Sequence, residues 1–316
     1  MTIVNRRRLV LVVPGIVAVA AAGCATTAKT QAECYPHMYL DTRYELRGMH
    51  GVAGRTDEED NCYRFMYRDG RLVRVDYRRS GTLTSDPALG VASVRVDYRS
   101  KDTETRTFLD ANNRPLRNVN GVYGVQLNYD AARNPVEWRN LDASGELMED
   151  KSGIAVTRWR HDRDRVVEES HFGANQQLKS DARRGAAVIR WQYDANGNTL
   201  EESYFGADSR PIADRLRGVA TVRWEYGPHG KTVEESYFGP DGRRTEDKNR
   251  GVAMVRWQYD GSWNTVEERY FGTDLRSKVD RRYGAAIIRW QYDQYGREVG
   301  TSMYDPNERP VRSGRN

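Results

Sequence analysis

The 316-residue sequence is 38% hydrophobic and 30% charged, yet it carries seven Trp and 19 Tyr. So low an apolar share argues against a compact globule of this length, and so many aromatic rings argue against disorder; a thin, aromatic-rich fold satisfies both. The formal charge of +5 falls to +2 once Arg6, Arg7 and Arg8 are lost with the segment described next, and the remaining Arg residues are interleaved with Asp and Glu, which removes most of the case for a nucleic-acid partner.

Taken in chain order, Arg6-Arg7-Arg8 precede an apolar stretch from Leu9 to Ala22. It is too short to cross a bilayer core of ~30 Å as a helix, which takes about 20 residues. A basic start, a short apolar run and small residues at its end describe an export signal over residues 1–23. Ala21-Ala22-Gly23-Cys24 resembles the lipobox of bacterial lipoprotein precursors, with Ala21 where Leu is commonest. The resemblance implies a diacylglyceryl thioether on Cys24, removal of the signal and acylation of the freed amine, which together make a durable membrane anchor in the cell envelope. Ala25, rather than Asp, after the cysteine implies outer-membrane sorting if the source has two membranes.

Residues 24–35 then read as an acylated cysteine and flexible tether, and 36–89 as an N-terminal cap with one degenerate repeat around Tyr67-Arg68-Asp69-Gly70. Cys34 and Cys62 are an even pair in an oxidising compartment, so a disulfide between them is expected, stabilising by ~3 kcal/mol. The closer CxxC spacing of a metal or redox site is absent.

From residue 90 to 316 the sequence repeats itself. A glycine opens each unit at Gly90, Gly121, Gly153, Gly185, Gly218, Gly251 and Gly284, at spacings of 31, 32, 32, 33, 33 and 33. Eight residues on stands Tyr98, Tyr129, His161, Tyr193, Tyr226, Tyr259 or Tyr292. The last five units place Trp159, Trp191, Trp224, Trp257 and Trp290 six residues after the glycine, each preceded by Arg158, Arg190, Arg223, Arg256 or Arg289. So regular a period marks a repeat architecture of about eight units. Within a unit the period is two. Ala187, Ile189, Trp191 and Tyr193 share one face, and Ala186, Val188, Arg190 and Gln192 the other, which predicts a strand. Asp194-Ala195-Asn196-Gly197 supplies a tight turn and Thr199 to Phe205 a returning strand; a further turn, clearest at Pro240-Asp241-Gly242, leads to a polar connection with room for a short third strand. The expected fold is all-β, an elongated antiparallel sheet of tandem strand-turn-strand repeats. Successive units should stack Trp and Tyr into rows that exclude water, and set Arg190 opposite Glu201 or Glu202 of its own hairpin.

Tyr193-Asp194-Ala195-Asn196-Gly197-Asn198 and Tyr292-Asp293-Gln294-Tyr295-Gly296-Arg297 resemble the YD repeats of Rhs proteins. The strand-turn-strand unit ending in Phe and Gly also resembles MORN-type repeats, including those of proteins named as bacterial antitoxins. The likeness covers roughly residues 60 to 310. A longer period and the Tyr-Phe-Gly triplets at Tyr204-Phe205-Gly206, Tyr237-Phe238-Gly239 and Tyr270-Phe271-Gly272 depart from the Rhs pattern, and neither family lends the chain a catalytic residue.

Glu168-Glu169, Glu201-Glu202, Glu234-Glu235 and Glu267-Glu268 are adjacent strand residues that point to opposite faces, so no pair forms an acid/base dyad. His37, His50, His161, His171 and His229 share no metal-ligand spacing, and His161 and His171 fill the Tyr positions of one degenerate unit. Phe205 stands where a calcium loop begun at Asp194 would need its bidentate Glu. The expectation is a non-enzymatic, lipid-anchored protein without metal or cofactor, using the rows of Trp159, Trp191, Trp224, Trp257 and Trp290 and of Arg190, Arg223, Arg256 and Arg289 for packing or for binding a protein. An immunity protein against a toxin in the envelope and an envelope glycan binder are the alternatives.

Overall fold

The computed structural model describes residues 29–49 and 61–311; the signal segment, Cys24 and His50 lie outside the described residues. Among the described residues the only helical piece is a 3-10 turn at Pro228–Gly230. The strands are β1 (Thr30–Tyr35), β2 (His37–Leu40), β3 (Leu46–Met49), β4 (Cys62–Arg68), β5 (Arg71–Arg79), β6 (Thr82–Leu83), β7 (Ser93–Ser100), β8 (Thr103–Leu109), β9 (Gly124–Tyr129), β10 (Pro135–Leu141) and β11 (Val156–Asp162). They continue as β12 (Arg165–Phe172), β13 (Val188–Tyr193), β14 (Thr199–Phe205), β15 (Thr221–Tyr226), β16 (Thr232–Phe238), β17 (Met254–Tyr259), β18 (Thr265–Phe271), β19 (Ile287–Tyr292), β20 (Glu298–Tyr304) and β21 (Pro310–Val311).

Strand β1 pairs with β4, β4 with β5 and β5 with β7, and from β7 each strand pairs antiparallel with the next as far as β21. The product is one 19-stranded antiparallel meander, beside which β2 and β3 form a separate two-stranded sheet. Eight hairpins, from β4–β5 to β19–β20, are the repeat units. The Cys34–Cys62 disulfide, with its Cα atoms 5.7 Å apart, ties β1 to the start of β4.

All seven unit glycines adopt positive φ, between +66° and +90°, which is why no other residue type opens a unit. The turn they make drives the next residue onto the sheet, so that Ala186, Val219, Val252 and Ala285 are buried against one face. The polar connection forms a short third strand in the first and last units, β6 beside β5 and β21 beside β20, but not in the units between. There it touches its hairpin through isolated bridges such as Phe205 to Pro211 and Phe238 to Arg244.

Register separates two faces. In β13–β14, Ile189 lies opposite Tyr204 and Trp191 opposite Glu202 on the inner face, whereas Arg190 lies opposite Ser203 and Gln192 opposite Glu201 on the outer face. This corrects the expected Arg190 pairing. A bulge between Gln192 and Tyr193 leaves Leu200 as an extra residue on the returning strand and moves the glutamates one place along. Arg190 pairs instead with Glu168 of the preceding unit, at 2.8 Å across β12 and β13. Arg223–Glu201 (2.9 Å), Arg256–Glu234 (2.8 Å) and Arg289–Glu267 (2.6 Å) repeat that arrangement, so the arginine row stitches units together.

The inner face is built from opposed pairs. Val94–Phe108, Val125–Asn140, Thr157–His171, Ile189–Tyr204, Val222–Tyr237, Val255–Tyr270 and Ile288–Met303 occupy equivalent positions in successive hairpins. Two apolar clusters result, one running from Ala186 to Ile288 and one from Val91 to Tyr129. The three polar members of the row, Asn140, Thr157 and His171, fall between them.

Candidate binding face

Two features distinguish the inner face: a tryptophan row along the late units and a polar gap in the middle ones. Trp191, Trp224, Trp257 and Trp290 pack on the late cluster and are only half-buried, so the row does not fully exclude water as the sequence reading expected. Trp159 continues the row and is covered, at 9% exposure. What covers it is the chain's own β2–β3 hairpin. Tyr44 at its turn stacks on Trp159 with ring centres 4.9 Å apart and meets Trp138 edge-on at 5.6 Å. The hairpin is fastened by Arg106, whose Nη2 donates to the Tyr44 carbonyl at 2.6 Å, and by the Arg133–Glu45 ion pair at 3.2 Å.

Each late tyrosine that follows a row tryptophan donates its hydroxyl to a backbone carbonyl of the unit before. Tyr193 reaches Val166, Tyr226 reaches Thr199, Tyr259 reaches Thr232 and Tyr292 reaches Thr265, at 2.6–3.0 Å. Their partners are spent inside the fold.

Beneath the late row lies a network the sequence reading missed. Arg217 donates to Asp247 (2.6 Å) and Glu235 (2.9 Å) while its guanidinium sits 4.7 Å from the ring centre of Tyr237. Arg250 does the same to Asp280 (2.6 Å), Glu268 (3.0 Å) and Tyr270 (5.1 Å). Arg184 reaches Glu202 at 3.2 Å over Tyr204. The first glutamate of each pair therefore serves the outer arginine row, and the second, in Glu202, Glu235 and Glu268, the inner arginines. The readable signal was position, since each inner arginine immediately precedes a unit glycine.

In the middle units those groups are replaced. The positions ahead of Gly121 and Gly153 hold Asn120 and Ser152, and the tyrosine positions hold Asn140 and His171. Smaller side chains leave a cavity of about 410 Å³, lined by these residues together with Tyr44, Trp138, Trp159, Asp150, Glu169 and Asp181. His171 donates from Nδ1 to the Ala186 carbonyl (3.1 Å) and from Nε2 to Glu169 (2.8 Å), and the second Glu169 oxygen accepts the Trp159 indole N–H (2.7 Å). Burial pushes the imidazole pKa down, but Glu169 and the carbonyl outweigh it and hold His171 above its usual value. Burial likewise opposes the charge on Glu169, whose hydrogen bonds from His171 and Trp159 keep it below the usual carboxylate range. With an oxygen acceptor facing each ring nitrogen, the surroundings favour the imidazolium. His161, in the tyrosine place nearer the turn, is held below its usual value by burial.

Among the described residues no group of three or more His, Cys, Asp or Glu is arranged to hold a metal ion, and no helix is long and apolar enough to cross a membrane. The Asp194 turn is a backbone device. Its carboxylate accepts the N–H groups of Asn196 and Asn198, both at 2.9 Å.

No family model matches the chain, and no curated protein matches it. Among solved structures, the crystal structures of TcdB2-TccC3-Cdc42 and TcdB2-TccC3-TEV are each similar at 12% identity, with TM-scores of 0.39 and 0.40, over 77% of this chain and 12% of theirs. That of TcdB2-TccC3 without its hypervariable C-terminal region is similar at 14% identity and a TM-score of 0.21, over 77% of this chain and 17% of that one. The chain thus spans a small fraction of the length of the proteins it resembles. What stands is an all-β tandem-repeat protein whose units form one long antiparallel sheet.

Proposed function

We propose that the chain is an exported, lipid-anchored envelope protein that binds a polypeptide partner on its inner face and catalyses no reaction. The carrying observation is the half-buried row Trp191, Trp224, Trp257 and Trp290, whose next member, Trp159, is seated beneath a tyrosine of the chain's own hairpin. That intramolecular contact is a template for the occupant: an extended or hairpin segment presenting an aromatic ring to a row of indoles. The recurrent glutamates support the non-catalytic reading, because all of them but Glu169 are engaged in ion pairs with arginine that repeat from unit to unit.

A photoreactive residue at position 224 tests the reading in cells. Cross-linking to one protein, with the attachment mapped to an aromatic-bearing segment and lost in the Trp224→Ala/Trp257→Ala variant, is expected. Cross-links to lipid or glycan alone, or a partner retained by the double variant, would overturn it. The anchor is tested separately, since Cys24→Ser should release the protein from membranes. An immunity lipoprotein is the narrower form of the proposal, favoured by the envelope address and the antitoxin-like repeats. Undiminished survival of a deletion strain among toxin-producing siblings would remove that form alone.

A further inference from the structure

The cavity between the two apolar clusters lies where the repeat is interrupted, and the interruption has a chemical direction. The residue ahead of each unit glycine accepts a backbone hydrogen bond from the next unit's loop: Val119 to Leu89, Lys151 to Asn120, Ala182 to Ser152, Arg215 to Arg184, Lys248 to Arg217 and Arg281 to Arg250. The six positions are therefore structurally equivalent. Where the residue is Arg217 or Arg250, its guanidinium fills the interior and binds the next loop's Asp247 or Asp280. Where it is Leu89, the next loop carries Asn118, so cation and anion are both absent.

At Asn120 and Ser152 only the guanidinium is missing, and Asp150 and Asp181 remain. The turn does not require a carboxylate there. Asn118 Oδ1 accepts the N–H groups of Asn120 (3.0 Å) and Val122 (3.2 Å) just as Asp150 accepts those of Ser152 (2.8 Å) and Ile154 (3.1 Å). Asp181 Oδ2 is buried without a hydrogen-bond partner, and His171 Nδ1, already bonded to a carbonyl, is 3.9 Å away. A buried carboxylate oxygen left unpartnered is costly to keep, and Asp181 shares the cavity wall with a second, part-buried carboxylate, Asp150.

We propose that this cavity is a binding site for a guanidinium-bearing ligand, seated where the inner arginines sit in later units and held by Asp181 and Asp150. Tyr44, Trp138 and Trp159 take the place of Tyr237 and Tyr270 as its aromatic wall. Arg184 lines the same cavity but is engaged by Glu202, and Arg183 stands exposed at the lip, where it disfavours polycations and suits a single guanidinium with neutral or acidic neighbours. The group belongs either to a free arginine-like compound or to an arginine side chain of a polypeptide.

Calorimetry on the full chain in detergent, titrated with N-acetyl-arginine amide and with a neutral peptide carrying one central arginine, tests the site, each probe beside its citrulline counterpart. Binding of both arginine probes and neither citrulline probe is expected if the guanidinium alone suffices; binding of the arginine peptide alone assigns the site to a polypeptide. Asp181→Asn should weaken binding about tenfold or more, because the amide keeps the turn and loses the charge. Ser152→Arg should abolish it by filling the place from within, with near-UV circular dichroism reporting that the fold is kept. Failure of both arginine probes, or equal binding of citrulline, overturns the proposal. The tryptophan-row reading fails independently, since Trp224→Ala/Trp257→Ala should leave arginine binding unchanged.

Discussion

The middle units, β9 to β12, and the late units, β13 to β20, share one backbone plan but fill it differently. The late hairpins from β13 to β18 oppose Ile or Val to a buried tyrosine and lay an arginine over it; middle hairpins oppose Val125 to Asn140 and Thr157 to His171 and have no such arginine. The same strand pairing survives both fillings. The difference teaches that backbone hydrogen bonds and the glycine turns specify the repeat, while the inner side chains are free to be stabilising in one stretch and open in another.

The contrast is sharpest in the late row. Tyr237 is fully buried, so Tyr237→Ala should cost about 3–5 kcal/mol, whereas Trp224→Ala, on a half-buried ring, should cost about half as much or less. Urea unfolding followed by far-UV circular dichroism measures both; equal costs would mean that the tryptophan row, too, is closed core. Trp159→Ala should lie nearer the tyrosine value, because Tyr44 covers the ring and Glu169 accepts from its indole.

Removing one inner cation converts a late unit toward a middle one. Asp280 is 0% exposed and relies on Arg250, so Arg250→Met should cost about 3 kcal/mol by leaving that charge uncompensated. Adding Asp280→Asn should recover most of the loss, since Asn118 shows the turn running on an amide. A double variant no more stable than Arg250→Met would show that the arginine acts through packing on Tyr270 rather than through its charge.

The middle units should also respond to pH through the His171–Glu169 pair. His171 is held above its ordinary value, so its contribution is full below about pH 6.5 and is lost as pH rises through the folded-state value. Glu169 is held below its ordinary value, and its share is present above about pH 4.5 and lost as pH falls through the folded-state value. The pair is strongest between those limits. Unfolding midpoints of the wild type and of His171→Tyr, compared from pH 5.5 to 8.5, should converge at the alkaline end relative to the acid end; a constant difference would place the imidazolium elsewhere.

The sequence made the architecture legible because its signals are periodic: a glycine every 31 to 33 residues and a two-residue alternation through each strand. It misplaced Arg190 because register depends on the bulge between Gln192 and Tyr193, a backbone event at the turn that leaves no mark in the hydrophobic pattern. Arg184, Arg217 and Arg250 went unread because they sit in irregular loops where no alternation says which way a side chain points. The covering hairpin was hidden for another reason. Its seat is made by Arg106, Trp138 and Trp159, residues roughly 60 to 115 positions from Tyr44, and a short polar segment carries no local sign of such contacts.

The smallest effect belongs to the outer face, and it separates visible rows from energetic ones. Arg223 and Glu201 form a well-aligned pair at 2.9 Å, but the arginine side chain is 57% exposed and its charge is screened by water. Arg223→Met should therefore cost only about 0.5 kcal/mol, several-fold less than Arg250→Met, although both arginines recur in successive late units and both meet a glutamate. Part of even that loss would come from the contact with Phe238, whose ring centre lies 4.7 Å from the guanidinium, and raising the salt concentration should separate the two components. A cost that vanishes in high salt is the ion pair; one that persists is the stacking. A loss near 3 kcal/mol would instead make the outer stitches, and not the inner network, what binds each unit to the next.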